Sequence, residues 1–593
     1  MSVTAGFAAA ALRHPGSVAV VDDEGALTYR ALAMAAGGLA AALGDAGRSG
    51  PLAGRTGLLV GHGAPFVTAI LGTLAAGRCH VPLDPGYPRD RLAHMVDRAD
   101  VDTIVTGRAQ LDLARDLVGG RSVRIVVAED VRPAPLVVRD TDPDAPAYLL
   151  FTSGSTGRPK AVAQTHRNLL HGARNQVASL GITAADRVSL LASFSFDAAI
   201  PDLFPALLAG ATVVPVDLRR HGLGRLAPLL AEREVTVYHS TPTVYRFLLD
   251  SLAPADRLPR IRAVLLGGEE MTRSDVERGR PRFGPGCVFV NGYGATEFTF
   301  ATHHHVTGPL SDSEQVPIGR PLPGYDVVLR DGEIVIRSPH LAPGYVGDPE
   351  LTATRFFTDT DGTPAYRTGD LGQLLPDGTL VHRGRADRQV KIRGHLVELG
   401  EVEAHLAALP GVVRAVATTR VDPVAGTEIL AYVQPGTPAP TPAALRRELA
   451  LRLPEHLLPR AVVLLGALPL TQSGKVDVLA LPAPVAVPRQ RAAPLARESE
   501  RTVAEVWTAA LGVTVQSPAD NFFDLGGNSL LLARVQRDLE ARGMRLPMVT
   551  LLEHATVSAL AAHLDGDADG VELTGVTDRM ARRRAARRDR AAS

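Results

Sequence analysis

The stretch FTSGSTGRPK, residues 151–160, decides how this chain is read. An apolar run, AYLLF at 147–151, feeds a loop of hydroxyls and glycines that closes on a lysine. Gly154 and Gly157 permit backbone geometry that turns N–H groups inward. The hydroxyls of Thr152, Ser153, Ser155 and Thr156 add donors, and Lys160 adds charge. These are parts for gripping phosphate. Their order differs from GxxxxGK[ST], so a simple nucleotide-hydrolysing loop is not implied.

Outward from this loop, between residues 50 and 320, short strand-like runs (TGLLVG, DTIVTG, SVRIVVAED) alternate with longer alanine- and leucine-rich stretches of helical spacing. That alternation predicts α/β layering on a parallel sheet. From about 322 to 383 the pattern changes to short strands and turns, with Asp-Gly signals in YDVVLRDGEIVIRS and LLPDGTLVHRG, so a β-rich subdomain follows. Residues 385–480 read as a compact, lid-sized α+β domain: ELGEVEAHLAAL and AALRRELALRLPEHLLP are amphipathic helices, VVRAVATTRV and EILAYVQP strands. The proline- and alanine-rich LALPAPVAVPRQRAAP lacks any periodic apolar face and reads as an extended linker. Beyond it, 497–566 shows three helical patterns around the loop NFFDLGGNSL, a small all-α bundle, and DRMARRRAARRDR is a basic tail. The predicted divisions are 1–384, 385–480, a linker at 481–496, 497–566 and a tail at 567–593.

The composition bounds the partners. With 63 basic and 63 acidic side chains among 593 residues, no net charge drives binding to nucleic acid or to an anionic membrane surface. Two distant cysteines exclude a disulfide framework or a thiolate zinc cluster. The opening MSVTAGFAAAALRHPG lacks a basic segment ahead of its apolar run, and no stretch reaches the ~18–20 apolar residues of a membrane span. A cytoplasmic, membrane-free protein is expected. The run His303–His305 lacks carboxylate or cysteine partners for a metal, and it lacks the aspartate and glycine that a condensation-domain signature would add.

The chain resembles the adenylate-forming superfamily, specifically the adenylation domains of nonribosomal peptide synthetases. Ten motifs recur in that family's order: LTYRAL, LAAGRCHVPLDPGYP, the phosphate loop, FSFDAAIPDLFPALLAG, NGYGATE, GEIVIRSPHLAPGY, YRTGDL, GRADRQVKIRGHLVELGEVE, LPEHLLP and LPLTQSGKVD. The resemblance implies activation of a carboxylate by attack on the α-phosphate of ATP. It assigns Thr152, Ser153, Gly154, Thr156, Gly157 and Lys160 to the β- and γ-phosphates, Thr296 to the α-phosphate and Glu297 to Mg²⁺. Asn291 and Tyr293 would hold and stack adenine in a slot lined by Gly268, Glu269 and Glu270; Asp370 would accept the ribose hydroxyls, with Arg385 beside it. Lys475 would bridge the substrate carboxylate and the α-phosphate, and Asp387 would be the hinge about which the small domain turns.

Aligned with the family's selectivity positions, the substrate pocket comprises Asp197, Ala198, Pro201, His239, Leu265, Gly267, Gly292, Phe300, Ala301 and Lys475. A buried carboxylate at 197 implies a substrate ammonium, hence an α-amino acid, and argues against the alternative of an acyl-CoA or fatty-acyl ligase with a fused carrier. Small residues at 198, 267, 292 and 301 imply depth, narrowed on one wall by Phe300, with His239 either a polar contact or a core residue; a neutral side chain of medium or large size suits it, and the resemblance implies either a hydroxyphenylglycine-type aromatic, from Asp197, Ala198, His239, Leu265 and Gly267, or a valine-type aliphatic, from Gly292. The motif DNFFDLGGNSL resembles that of a peptidyl carrier protein, with Ser529 receiving 4′-phosphopantetheine from a phosphopantetheinyl transferase. The implied partners are therefore an amino acid, that transferase, downstream condensation or tailoring enzymes and an MbtH-like activator. Ala161, Ala295 and Leu396 depart from the family pattern; Leu396 replaces an arginine in a loop that faces the site during thioester formation.

Overall fold

The computed structural model describes residues 2–44, 54–153, 159–307, 315–386, 389–392, 394–422, 426–469, 478–482, 494–523, 525–527 and 529–565. The chain divides into two compact units, Met1–Pro484 and Val485–Ser593.

The run around residue 150 forms strand Pro146–Thr152, buried along most of its length. It pairs in parallel with Cys79–Pro82 and antiparallel with Lys160–Thr165, so Thr152 and Lys160 face each other across the ends of a hairpin. The sequence pattern marks only the first of these two strands; the second, KAVAQT, is too short for its period to stand out. These strands close one edge of a six-stranded sheet. A nine-stranded sheet carries Val237–Ser240, Ala263–Gly267 and Val288–Ala295 as parallel neighbours, then Thr299–Val306 antiparallel. Their register aligns His239 with Leu265 and Gly267 with Gly292, which sets these expected pocket positions side by side in the carboxyl-terminal part of the sheet, the side on which open α/β sheets bind ligands. Thr241 caps the helix Pro242–Ser251 by accepting from the Val244 N–H, which leaves one fewer orphaned donor at the mouth of the sheet.

A five-stranded antiparallel sheet spans Asp326–Arg330 to Leu380–Arg385 and pairs Asp370 with Arg385. The small α+β part follows, with hairpin Gln389–Ile392 and His395–Glu398, helices Leu399–Ala407 and Pro442–Ala450, and a three-stranded sheet. A buried ion pair, Arg91 to Glu401 at 3.0 Å, ties it to helix Arg89–Arg98 of the large part. The second unit contains helices Glu498–Leu511, Ser529–Glu540, Met548–Glu553 and Val557–Leu564 around Trp507, whose ring meets Phe522 edge-on at 5.1 Å. Three helices are expected from the sequence; the additional one is six residues long, too short to display an amphipathic repeat.

Candidate active site

A cleft of about 570 Å³ in the first unit is lined by residues from both large sheets and from the small domain. At its phosphate end, Lys160 Nζ lies 3.2 Å from Glu297 Oε1 and 3.3 Å from the Tyr345 hydroxyl, which itself donates to Glu297 Oε1 at 2.8 Å. Burial pushes the Glu297 carboxyl up, but the Lys160 charge and the Tyr345 hydroxyl pull it further down, so it is held ionised. Tyr345 also bonds Tyr366 and turns its ring to the Lys160 ammonium at 4.6 Å. Sequence reasoning misses Tyr345, whose sole linear signal is the GY pair inside GEIVIRSPHLAPGY. Thr152 Oγ1 is buried without a hydrogen-bond partner among the described residues, an acceptor and donor left for a ligand oxygen. Among the described residues there is no cluster of three acidic, histidine or cysteine groups to cage a metal. One buried ionised carboxylate does fit Mg²⁺, which retains water and takes its other ligands from substrate phosphates.

At the nucleotide end, Asp370 receives Tyr293 OH at 2.6 Å, Arg385 Nη1 at 2.6 Å and the His382 ring at 3.3 Å. Burial raises its pKa, yet the His382 bond and the charges of Lys391 and Arg385 outweigh it and hold the carboxyl well below the usual carboxylate range. A buried carboxylate that stays ionised suits a diol. Asn291 donates both amide hydrogens, to the carbonyls of Val316 and Pro317, which leaves its oxygen as an acceptor. Tyr293 lies in the core with Lys391 Nζ 5.4 Å from its ring centre, so that face is covered in this conformation. Two expected slot residues are corrected. Glu269 commits its carboxylate to Thr243 and to the backbone N–H of Gly394, and Glu270 is exposed; of the three, Gly268 alone lines the cleft. A carboxylate facing a helix N-terminus is better satisfied than one beside an adenine ring.

At the third end, Asp197 is half-buried and accepts from Thr296 Oγ1; Gln164 in turn holds the Thr296 carbonyl. Burial pushes the Asp197 carboxyl above the ordinary value, for among the described residues no cation forms an ion pair with it. Ala198, Pro201, His239, Gly267 and Phe300 line the cleft around it, whereas Leu265, Gly292 and Ala301 do not. The expectation of depth is corrected as well. A side-chain carbon placed on Gly292 would stand 2.6 Å from the Phe300 ring, and one on Gly267 3.1 Å from it. Phe300 fills the room those glycines leave. His239 is neither a plain core residue nor a lone polar contact: its Nδ1 pairs with Asp202 Oδ1 at 2.7 Å. Sequence reasoning also misses Asp202, because a single acid on an apolar helix carries no spacing signal.

The small domain leans its hairpin over the cleft. Leu396 uses its backbone carbonyl to accept from Ser153 Oγ, so loss of an arginine side chain at 396 leaves this contact intact. His395 packs on Phe196 at 4.4 Å and stacks on His456 at 3.9 Å. Gly154, Thr156, Gly157, Asp387 and Lys475 lie outside the described residues, as do the middle of the linker and the basic tail. In the second unit Ser529 is the first residue of its helix, preceded by a turn in which Gly526 has φ +89° and Gly527 approaches Phe522 too closely for any side chain.

A cleft that sets Lys160 and an ionised Glu297, the ionised carboxylate of Asp370 and a half-buried carboxylate without an ion pair side by side fits an adenylate-forming ligase. The AMP-binding enzyme model matches residues 7–346, the AMP-binding enzyme C-terminal domain 401–475 and the phosphopantetheine attachment site 501–564. The chain belongs to the AMP-binding enzyme family, in its nonribosomal peptide synthetase branch with a carrier domain. It is 34% identical to novobiocin biosynthesis protein H of Streptomyces niveus, covering 93% of this chain and 94% of that protein. It is 35% identical to a linear gramicidin synthase polypeptide of Brevibacillus parabrevis over 93% of its own length, but spans only 7% of that much longer protein. A solved structure of holo-PA1221, described as an NRPS protein containing adenylation and PCP domains bound to a vinylsulfonamide inhibitor, superposes with a TM-score of 0.78 at 27% identity, covering 95% of this chain and 96% of that one. No helix among the described residues is long and apolar enough to cross a membrane.

Proposed function

We propose that the protein condenses a neutral α-amino acid with ATP to give the aminoacyl adenylate and pyrophosphate, and transfers the aminoacyl group to a phosphopantetheine thiol carried at Ser529. The observation that carries this reading is the half-buried carboxylate of Asp197, in no ion pair among the described residues, in one cavity with Glu297 and Asp370. An α-ammonium is what neutralises Asp197, and the apolar surroundings of Ala198, Pro201 and Phe300 favour an uncharged side chain.

Thr152, Ser153, Gly154, Thr156, Gly157 and Lys160 grip the β- and γ-phosphates, and Thr296 directs its hydroxyl toward the α-phosphate. Mg²⁺, when bound at Glu297, screens charge on the phosphates. Asn291, Tyr293 and Gly268 hold adenine; Asp370 and Arg385 hold the ribose. A substrate carboxylate oxygen attacks the α-phosphorus and pyrophosphate leaves, with Lys475 placed between the two anions. Asp387 is the position at which the small domain then turns. The boundaries at 384, 480, 496 and 566 separate the parts that do this, in a cytoplasmic setting. A phosphopantetheinyl transferase, a downstream condensation or tailoring enzyme and an MbtH-like activator are the partners that follow.

The test is amino-acid-dependent pyrophosphate exchange, joined to intact-protein mass after treatment with a phosphopantetheinyl transferase. Lys475→Ala is expected to abolish exchange; Ser529→Ala is expected to leave exchange intact and prevent the mass increase. Equal loss of both activities in both variants contradicts the assignment.

A further inference from the structure

The small domain meets the rest of the first unit in a buried ion pair to which the adenylation chemistry assigns no task. Arg91, on helix Arg89–Arg98, and Glu401, on helix Leu399–Ala407, are 8% and 0% exposed, with Arg91 Nη1 3.0 Å from Glu401 Oε1. The Arg91 guanidinium lies 5.6 Å from the centre of the Tyr87 ring. Glu401 stands in the first turn of its helix, where the positive end of the helix dipole favours an acid. That helix runs on directly from strand His395–Glu398, so the place of Glu401 sets how far the hairpin reaches over the cleft. Three further contacts depend on that reach. The Gly394 N–H donates to Glu269 Oε1 at 3.0 Å, Ser153 Oγ donates to the Leu396 carbonyl, and the Glu398 N–H donates to Ser153 Oγ at 3.3 Å. Ser153 is engaged by the small domain both as donor and as acceptor, and a phosphate oxygen would compete for the same hydroxyl.

We infer that Arg91 and Glu401 are positioning residues for transfer of the aminoacyl group to the thiol: their pairing holds the small domain with its hairpin seated, an orientation that serves the second half-reaction and not the first. This rests on the reading of adenylation followed by transfer, with a small domain that turns between them. The seated hairpin occupies the Ser153 hydroxyl proposed to grip ATP, so its turn comes once pyrophosphate has left. A buried ion pair comes close to breaking even, since its Coulombic attraction is set against the hydration both ions lose. When the two parts separate, water solvates both groups, so the pair can open and re-form at each turnover, whereas an apolar contact of equal area would resist opening. One partner without the other leaves an uncompensated charge in a buried place and disfavours this orientation. In the transfer itself sulfur bonds to the acyl carbon, the carbon–oxygen bond to AMP breaks and the thiol proton passes to water. Arg91 and Glu401 contribute by fixing where the hairpin sits while this happens.

The experiment uses the full chain, converted to its holo form by a phosphopantetheinyl transferase, and the amino acid that exchanges fastest among the common protein amino acids and 4-hydroxyphenylglycine. Pyrophosphate exchange reads adenylation, and intact-protein mass at quenched times reads transfer. Glu401→Gln and Arg91→Met are each expected to slow transfer by about tenfold or more, as a stranded buried charge requires. The exchange rate is expected to stay within about threefold in both, so that exchange also reports that the variant is folded. Arg91→Met combined with Glu401→Met replaces the pair by apolar side chains and is expected to bring transfer back to within about threefold of the unmodified rate. A residue that served only general stability would slow both reactions and would show no such recovery. Unchanged transfer in the single variants, transfer and exchange falling together (failure to fold included), or single losses that multiply in the double variant overturns the inference. Absence of exchange with every amino acid, or of loading, in the unmodified protein would overturn the underlying reading and this inference with it, an outcome distinct from normal loading that is indifferent to the pair.

Discussion

The nucleotide half and the amino-acid half of the cleft both bury carboxylates, and they treat them in opposite ways. Glu297 and Asp370 are surrounded by Lys160, Arg385, His382 and Lys391, which hold them below their ordinary pKa despite burial. Asp197 and Asp202 are pushed up by burial, and among the described residues the one titratable group paired with either is His239. The first half is electrostatically complete before substrate arrives, as preorganised catalysis requires. The second half is left short of positive charge, which the ammonium of the proposed amino-acid substrate would supply. Constant chemistry is built into the fold, whereas selection is deferred to the ligand.

This contrast can be broken in three ways. The largest effect is expected at Glu297: Glu297→Gln removes the ionised partner of Lys160, and the exchange rate should fall by roughly 10²–10³. A smaller loss would mean that Lys160 needs no partner.

Next is Asp197. Asp197→Ala should lower kcat/KM for the amino acid by roughly 30-fold or more, the cost of about 2 kcal/mol or above for removing one member of a buried charge pair. The pH dependence carries a definite sign. Because the empty site's carboxyl titrates above 3.8, it is neutral below that raised pKa and must lose a proton to receive an ammonium. Affinity is therefore present above the raised pKa and lost as pH falls through it. KM for the amino acid should climb on acidification, and in Asp197→Asn the profile should be flat over the same interval; identical profiles refute an electrostatic role.

The smallest effect sharpens the amino-acid side. Phe300→Ala frees the space over Gly267 and Gly292, so preference should move toward bulkier side chains by about tenfold, read as a ratio of kcat/KM values across an amino-acid panel. KM for ATP should stay within about twofold, since Phe300 stands at the amino-acid end of the cleft beside His239.

Much of the proposed site was legible in linear order because the residues assigned to phosphate and ribose lie in compact local motifs. The stretch 151–160, the tetrad GATE at 294–297 and the pair Gly369–Asp370, inside strand Pro364–Leu374, each gather their residues within a few positions. The pocket was less legible. Its selectivity positions were named one by one, but whether Gly292 opens a cavity or shelters a ring depends on Phe300, which comes across the sheet from the antiparallel neighbour. Tyr345 and Asp202 escape notice for the same reason, each meaning something only through a partner 48 or 37 residues away.

The sequence by itself determined the α/β class, the order of the parts and the serine at the head of a carrier helix, because these rest on local propensity and short spacing. Tertiary structure alone decided which buried acids are paired with cations, how deep the substrate pocket runs and that His239 is harnessed to an aspartate. Those depend on distances between segments far apart in the chain, and burial sets the strength of every charge among them.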